Sequence, residues 1–296
     1  MKSGSLIGVV APSGPLTKYS LTEIEKCLNK LGYNVKFGIS CRGSYKGYLS
    51  SEDKVRAKDI EDMFLDKNVD LIMCLRGGYG TLRILDLIDY SIVKNNHKPF
   101  VGFSDITALH IAFKQKADLN TYHGLMASSS PEWDGFSYKT LLETVNMEKS
   151  IELQNPNKEP FRVLIDGVSK GILVGGNLAV IISTLGTEYE IDTKGKILFL
   201  EDIGEPIYKI DRMLTQLALA GKFTDCTGII FGDFCDCNKS NDSDFGLEEL
   251  LLDRIRRYNK PTICNVKAGH CMPMITLPLG VKCMLDTKSK IVRFEK

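Results

Sequence analysis

The stretch KPFVGFSDITALHIAF, Lys98 to Phe113, reads as a buried strand that stops at a serine and turns at once into a helix. Ser104 stands at that corner. A hydroxyl there is presented at the carboxyl edge of a sheet, beside the unpaired N–H groups of the first helical turn, which is the arrangement a hydrolytic nucleophile requires. A serine at neutral pH is a weak nucleophile, so the chemistry also needs a base and a group to orient the base. The chain has four histidines. His97 lies in a polar loop and reads as a surface residue. His110, two turns along the helix from Ser104, reads as a hydrogen-bonded core histidine. His123 in TYHGLM reads as a pocket-lining residue with a structural, substrate-contacting or catalytic part. His270, in the loop VKAGHCMPM after the apolar run PTICNV, is the best candidate base. For the orienting acid, KILFLED ends a buried strand in Glu201 and Asp202, and strand alternation lets one of the two face the crevice. Glu201 is expected to do so, with Asp202 capping the helix that follows. Taken alone, both acids could merely serve the turn before EPIYKIDRM. The order serine, acid, histidine along the chain makes the catalytic reading competitive.

A glycine-rich turn, Arg76-Gly77-Gly78-Tyr79-Gly80-Thr81, follows the apolar run DLIMCL. It is neither a dinucleotide fingerprint nor a phosphate-binding loop with its lysine, so nucleotide binding is a minor option. Its amides suit an oxyanion instead. In that reading Gly78 N–H and Asp105 N–H are the two donors, each worth roughly 3–4 kcal/mol to the transition state, and Arg76 pairs with a substrate carboxylate. Cys226, Cys235 and Cys237 lack the paired C-x-x-C spacing of zinc sites and read as ordinary thiols. Cys271 points away from its neighbour His270. Neither a metal nor a cofactor is expected.

The elements that must position these residues alternate along the first half. LIGVV, NVKFG, DLIMCL and KPFVGF read as strands, separated by helical patterns such as Leu21, Ile24, Leu28 and Leu31. This βαβ alternation argues for an α/β fold with a parallel sheet, whose ligands sit at the carboxyl ends of strands. Around SSSPEWDGFS and IELQNPNKEPF the pattern gives way to turn formers. The expected division is therefore residues 1–130 as a domain carrying the nucleophile, 131–170 as a linker, and 171–296 as a domain carrying acid and base. In the latter, ILVGGNLAVIISTLG reads as a loop and helix. EPIYKIDRMLTQLALAG reads as a helix with Ile207, Ile210, Met213, Leu214 and Leu217 inward. Thr276 to Phe294 reads as a hairpin pivoting on Asp286-Thr287-Lys288-Ser289.

With 38 basic and 37 acidic residues among 296, the formal charge is +1. No global field favours nucleic acid or an anionic membrane, and a small neutral or zwitterionic ligand is the natural partner. The amino-terminal apolar run is too short for a secretory signal, no other segment approaches a membrane span, and nine scattered cysteines suit a reducing compartment. A cytoplasmic protein is expected.

Ordered blocks along nearly the whole chain carry a resemblance: VVAPSGP, LRGGYGTLRILDLIDY, KPFVGFSDITALH, TYHG, GGNLAVIISTLGT, KILFLEDIGEPIYKIDRMLTQL, GIIFGDF, the GH of VKAGHCMP and LPLGV. In these the sequence resembles the LD-carboxypeptidases, serine peptidases also called muramoyltetrapeptide carboxypeptidases, whose relatives include microcin C immunity hydrolases. The resemblance implies a triad of Ser104, Glu201 and His270, and an oxyanion hole from amides after the glycine pair and the nucleophile. It also implies a flavodoxin-like N-terminal domain and a β-rich C-terminal domain. It further implies release of the terminal D-alanine of murein tetrapeptides in cell-wall recycling, and a homodimer; Tyr79 and His123 are expected to join Arg76 as substrate contacts. One alternative is a microcin-type hydrolase cleaving a peptidyl nucleotide, and another a noncatalytic muropeptide binder. The loop Lys267-Ala268-Gly269-His270-Cys271 departs from the family's more apolar form, and Trp133 either stacks on a planar substrate group or packs at the domain boundary.

Overall fold

The computed structural model describes residues 2–238 and 245–296, and the chain divides into two compact units between Asn146 and Met147. In the first unit the apolar runs become strands β1 (Leu6–Val10), β2 (Asn34–Phe37), β3 (Leu71–Cys74), β4 (Phe100–Gly102) and β5 (Thr121–His123). They pair in parallel in the order β2-β1-β3-β4-β5, which is the flavodoxin order. Every residue of β3 and β4 is buried, as helices on both faces of a parallel sheet demand. The crossovers are α1 (Leu21–Lys30), α2 (Asp53–Leu65), α3 (Tyr90–Asn95) and α4 (Thr107–Ala117). Helix α1 starts at a capping box, Ser20 with Glu23, and buries Ile24 and Leu28. Phe113 from α4 meets Phe64 from α2 and Phe100 from β4 edge-on in the core, the latter at 4.9 Å, while Phe64 and Phe100 stack. The helix expected after the glycine turn is a 3-10 helix, Thr81–Leu87, rather than an α-helix.

Residues 131–170, expected as a linker, hold regular structure. Helix α5 (Gly135–Val145), capped by Asp134, closes the first unit. Strands β6 (Ile151–Glu152) and β7 (Arg162–Ile165) and the start of β8 (Val168–Asn177) belong to the second. The polar, proline-broken sequence around β6 and β7 hides them because these two are the edge strands of their sheet.

The second unit continues with α6 (Leu178–Thr184), β9 (Ile197–Ile203), α7 (Ile207–Leu219), α8 (Lys222–Asp225), β10 (Gly228–Cys235), α9 (Leu247–Ile255), β11 (Thr262–Cys264), β12 (Leu277–Leu279), β13 (Lys282–Asp286) and β14 (Ile291–Phe294). Its eight-stranded sheet runs β6-β14-β13-β8-β9-β10-β11-β7. The middle strands β8 to β11 are parallel, and the outer pairs are antiparallel. The expected C-terminal hairpin is β13 with β14, turning after Asp286, whose carboxylate accepts from the amides of Lys288 and Ser289. Helix α7 buries Ile207, Ile210, Leu214 and Leu217, and Met213 is only half-buried. The pair Gly175-Gly176, expected in a loop, lies inside β8: Gly175 adopts φ +137°, and a Cβ there would fall 1.9 Å from the Phe199 carbonyl oxygen of β9. Glycine is the residue that lets these two backbones close. No helix among the described residues is long and apolar enough to cross a membrane.

Candidate active site

The nucleophile corner is built by a backbone reversal. Phe103 continues β4 in extended form, and Ser104 then adopts φ +67°, a left-handed conformation that costs a residue with a side chain roughly 1–3 kcal/mol. One 3-10 turn, Ser104–Ile106, leads into α4. The carboxyl end of β4 is tied to that helix by His110, whose Nε2–H donates to the Gly102 carbonyl at 2.9 Å. Burial pushes the His110 imidazole down to about 4, so it is a neutral tie, as expected of a core histidine.

The glycine turn presses on this corner. A Cβ at Gly77 would lie 2.8 Å from Ser104 Cβ, 2.9 Å from its Oγ and 3.6 Å from Asp105 N, so the bare backbone of the turn occupies the space beside the hydroxyl. Gly78 follows at φ +123°, open to glycine alone. The turn is fastened to the loop after β1, where Gly14 N donates to the Gly77 carbonyl at 3.3 Å. Sequence reasoning named Gly78 and missed Gly77; the signal was present in VVAPSGP, whose Gly14 makes the facing backbone.

The three expected substrate contacts differ in their surroundings. Arg76 Nη1 donates to the Pro15 carbonyl at 2.9 Å and to Thr17 Oγ1 at 3.2 Å, so part of its guanidinium braces the loop after β1. Tyr79 is half-exposed, its ring 5.8 Å from that of Tyr48. His123 is fully buried on β5, its ring 5.8 Å from Phe103 and 6.3 Å from His110. Trp133 packs within the first unit, stacked at 6.1 Å on Tyr138 and donating from Nε1 to Ser129 Oγ.

In the second unit the structure brings the expected acid and base together. Glu201, fully buried near the carboxyl end of β9, accepts from His270 at 2.8 Å, Nδ1 to Oε2. An acceptor at Nδ1 fixes the proton there and leaves Nε2 as the basic nitrogen. The loop that carries His270 is pinned on both sides. Asn155 accepts from Lys267 N at 2.9 Å and donates to the Asn265 carbonyl at 2.7 Å, while Asp233 N donates to the Ala268 carbonyl. Two glycines make the fit possible: a Cβ at Gly269, which has φ +126°, would stand 2.7 Å from Glu201 Oε2, and one at Gly232 would stand 3.1 Å from Glu201 Cβ. Burial pushes the Glu201 carboxyl above its ordinary range, His270 pulls it down, and the neighbouring Asp202 adds to the rise. The Cys271 thiol is pushed up to about 12 by burial and stays protonated.

Asp202 departs from expectation. It caps α6, the helix before its strand, accepting from Ala179 N at 3.0 Å and from Asn177 Nδ2 at 3.1 Å, and it does not cap α7. The reason is the parallel pairing of β8 with β9, which sets Asn177, the last residue of β8, opposite Glu201, so that α6 starts beside the end of β9.

On this two-domain α/β fold, a strand-to-helix serine in one unit and a buried carboxylate–imidazole pair in the other are the kinds of group that serine hydrolases use. Residues 7–124 match the LD-carboxypeptidase N-terminal domain and residues 170–285 the LD-carboxypeptidase C-terminal domain. The chain is 39% identical over 302 residues to the "Probable murein peptide carboxypeptidase" of Bacillus subtilis (strain 168), across 100% of this chain and 93% of that one. Among solved structures, a muramoyltetrapeptide carboxypeptidase from Oxalobacter formigenes superposes with a TM-score of 0.83 at 25% identity over 98% of each chain. An MccF-like protein from Bacillus anthracis str. Ames does so at 0.86 and 27%, over 100% of this chain and 97% of that one. The chain belongs to the LD-carboxypeptidase family and is a serine-type carboxypeptidase.

Proposed function

We propose that the protein cleaves the L,D-amide bond that holds the terminal D-alanine of murein tetrapeptides. Ser104 Oγ attacks the scissile carbonyl as His270 Nε2 takes its proton. Gly78 N–H and Asp105 N–H receive the charge that develops on the carbonyl oxygen. The tetrahedral adduct collapses to an acyl-enzyme as the imidazolium returns the proton to the departing D-alanine nitrogen. Water, deprotonated by the same imidazole, then releases the shortened peptide. Glu201 holds the imidazole in one tautomer and steadies its charged form. The substrate is a small zwitterionic peptide, consistent with a chain of formal charge +1. Its setting in this reading is cytoplasmic recycling of cell-wall fragments by a homodimer.

The observation that carries the proposal is the 2.8 Å contact between His270 Nδ1 and the buried Glu201. A histidine so oriented offers Nε2 to a hydroxyl, and the family's serine supplies one. The resemblance to microcin C immunity hydrolases keeps a peptidyl nucleotide as a second substrate class.

Purified protein incubated with murein tetrapeptide should release D-alanine, followed by mass spectrometry, and a fluorophosphonate should label Ser104. The Ser104→Ala variant should lose at least about 10⁴-fold in turnover and all labelling. Undiminished turnover in that variant would sink the triad, and faster cleavage of a peptidyl adenylate than of the tetrapeptide would move the substrate to the second class.

A further inference from the structure

Two charged side chains near the nucleophile take no part in the chemistry above, yet both are buried, which is costly unless every polar atom is answered. Arg56, on α2, is fully buried. Its Nη1 donates to the carbonyl of Gly80 at 2.8 Å and to that of Pro12, its Nε donates to the Ser51 carbonyl at 3.1 Å, and its Nη2 pairs with Asp53. Asp105, next to the nucleophile, turns its carboxylate away from solvent. Oδ2 accepts from Ser13 Oγ at 2.5 Å and from Thr81 N at 2.9 Å, while Thr81 Oγ1 donates to the Asp105 carbonyl at 2.5 Å.

The two groups thus grip the same two loops. Pro12 and Ser13 belong to the loop after β1; Gly80 and Thr81 belong to the turn after β3. A turn with glycines at 77, 78 and 80 has unusual backbone freedom, and an amide that rotates out of line is a poor oxyanion donor. Here the turn is fastened at the Gly77 carbonyl by Gly14, at the Gly80 carbonyl by Arg56 and at the Thr81 amide by Asp105. The Gly77–Gly78 peptide lies between these fastenings and against Ser104.

We infer that Arg56 and the Asp105 carboxylate are positioning residues for the oxyanion hole: they lock the glycine turn so that the Gly78 amide meets the charge that develops on the substrate oxygen. The inference rests on Gly78 being a donor in the proposed function. Asp105 then serves twice, with its amide toward the oxyanion and its carboxylate toward the frame behind it.

The test is the saturation kinetics of fluorophosphonate labelling of the full chain, with thermal melting alongside. Labelling of the wild type at Ser104 reports the nucleophile by itself; the ratio of each variant to wild type reports the frame. Arg56→Met should lower the maximal labelling rate about 100-fold, with the half-saturating probe concentration unchanged, and Arg56→Lys, which keeps the charge but loses the fork, should recover only part of it. Ser13→Ala and Thr81→Val each delete one hydroxyl that grips Asp105, and should each lower the maximal rate about fivefold to tenfold without loss of fold. These two carry the test if Arg56→Met does not fold. Maximal rates equal to wild type in the folded variants would overturn the inference. So would a loss that appears in the half-saturating concentration instead of the maximal rate.

Discussion

The serine corner and the carboxylate–imidazole pair each sit near the carboxyl end of a parallel strand, but they are held by opposite means. Around Ser104 the support is polar and dense, with buried Arg56 and Asp105 gripping carbonyls and amides of the neighbouring loops. Around Glu201 the support is mostly the absence of side chains, with Gly232 and Gly269 letting backbone close over the carboxylate. The difference follows from what each group must do. In the proposed mechanism, the nucleophile works with backbone N–H groups whose direction matters, so the frame reaches for backbone. A carboxylate that steadies an imidazolium works through its charge, and charge acts most strongly where water is excluded.

The sharpest way to break this comparison is Glu201→Gln. The amide oxygen still accepts from His270 Nδ1, but the negative charge is gone, and turnover should fall about 10³–10⁴-fold. Stability should move the other way. Because burial raises the folded carboxyl above 4.5, its stabilising contribution is complete below that pH and is lost as pH rises through the raised value. The variant should therefore melt above wild type at pH 7–8, with the gap closing toward pH 4. A variant that melts below wild type at neutral pH would mean that the pairing with His270 outweighs burial.

Next in size are the two glycines that press on Glu201 and Ser104. Gly269→Ala meets both a positive φ and the Glu201 oxygen, so it should cost about 2–3 kcal/mol and most of the activity. Gly77→Ala meets the nucleophile in an ordinary backbone conformation, so it should abolish most turnover with a smaller drop in melting temperature. Equal melting temperatures would show that the glycine-made wall is no tighter than the polar frame.

The prediction with the smallest expected effect on turnover is a pH trend in stability confined to the serine side. His110, held neutral down to about 4, contributes stability above 6.5 that is lost as pH falls through the folded value, roughly 3 kcal/mol in all. Urea midpoints between pH 7 and 4 should fall more steeply for wild type than for His110→Gln, and parallel curves would remove His110 from the account.

Most of the frame was legible because it is local. The alternating apolar runs define the β2-β1-β3-β4-β5 sheet, and the abrupt change of period at Ser104 marks the corner. What escaped depends on contacts between distant segments. The grip of Arg56 on Pro12 and Gly80 spans 44 and 24 residues, and nothing in the helical pattern of α2 distinguishes that arginine from a solvated one. The partner of Asp202 was missed for a similar reason: capping followed spatial adjacency of β8 and β9, whereas the sequence offered the next helix along the chain. Gly175 and Gly176 read as loop because a strand rarely spends two glycines, and only the approach of Phe199 explains them.

The cap that Asp202 places on α6 also shapes the field at its neighbour. A helix start carries about half a positive elementary charge, which would favour an ionised carboxylate nearby. Here Asp202 sits on that charge, and like-signed Asp202 raises the Glu201 carboxyl rather than lowering it. Glu201 draws its compensation first from His270 and then from Asn177. In the proposed mechanism, a proton arriving on the imidazole therefore answers the charge that burial and Asp202 disfavour.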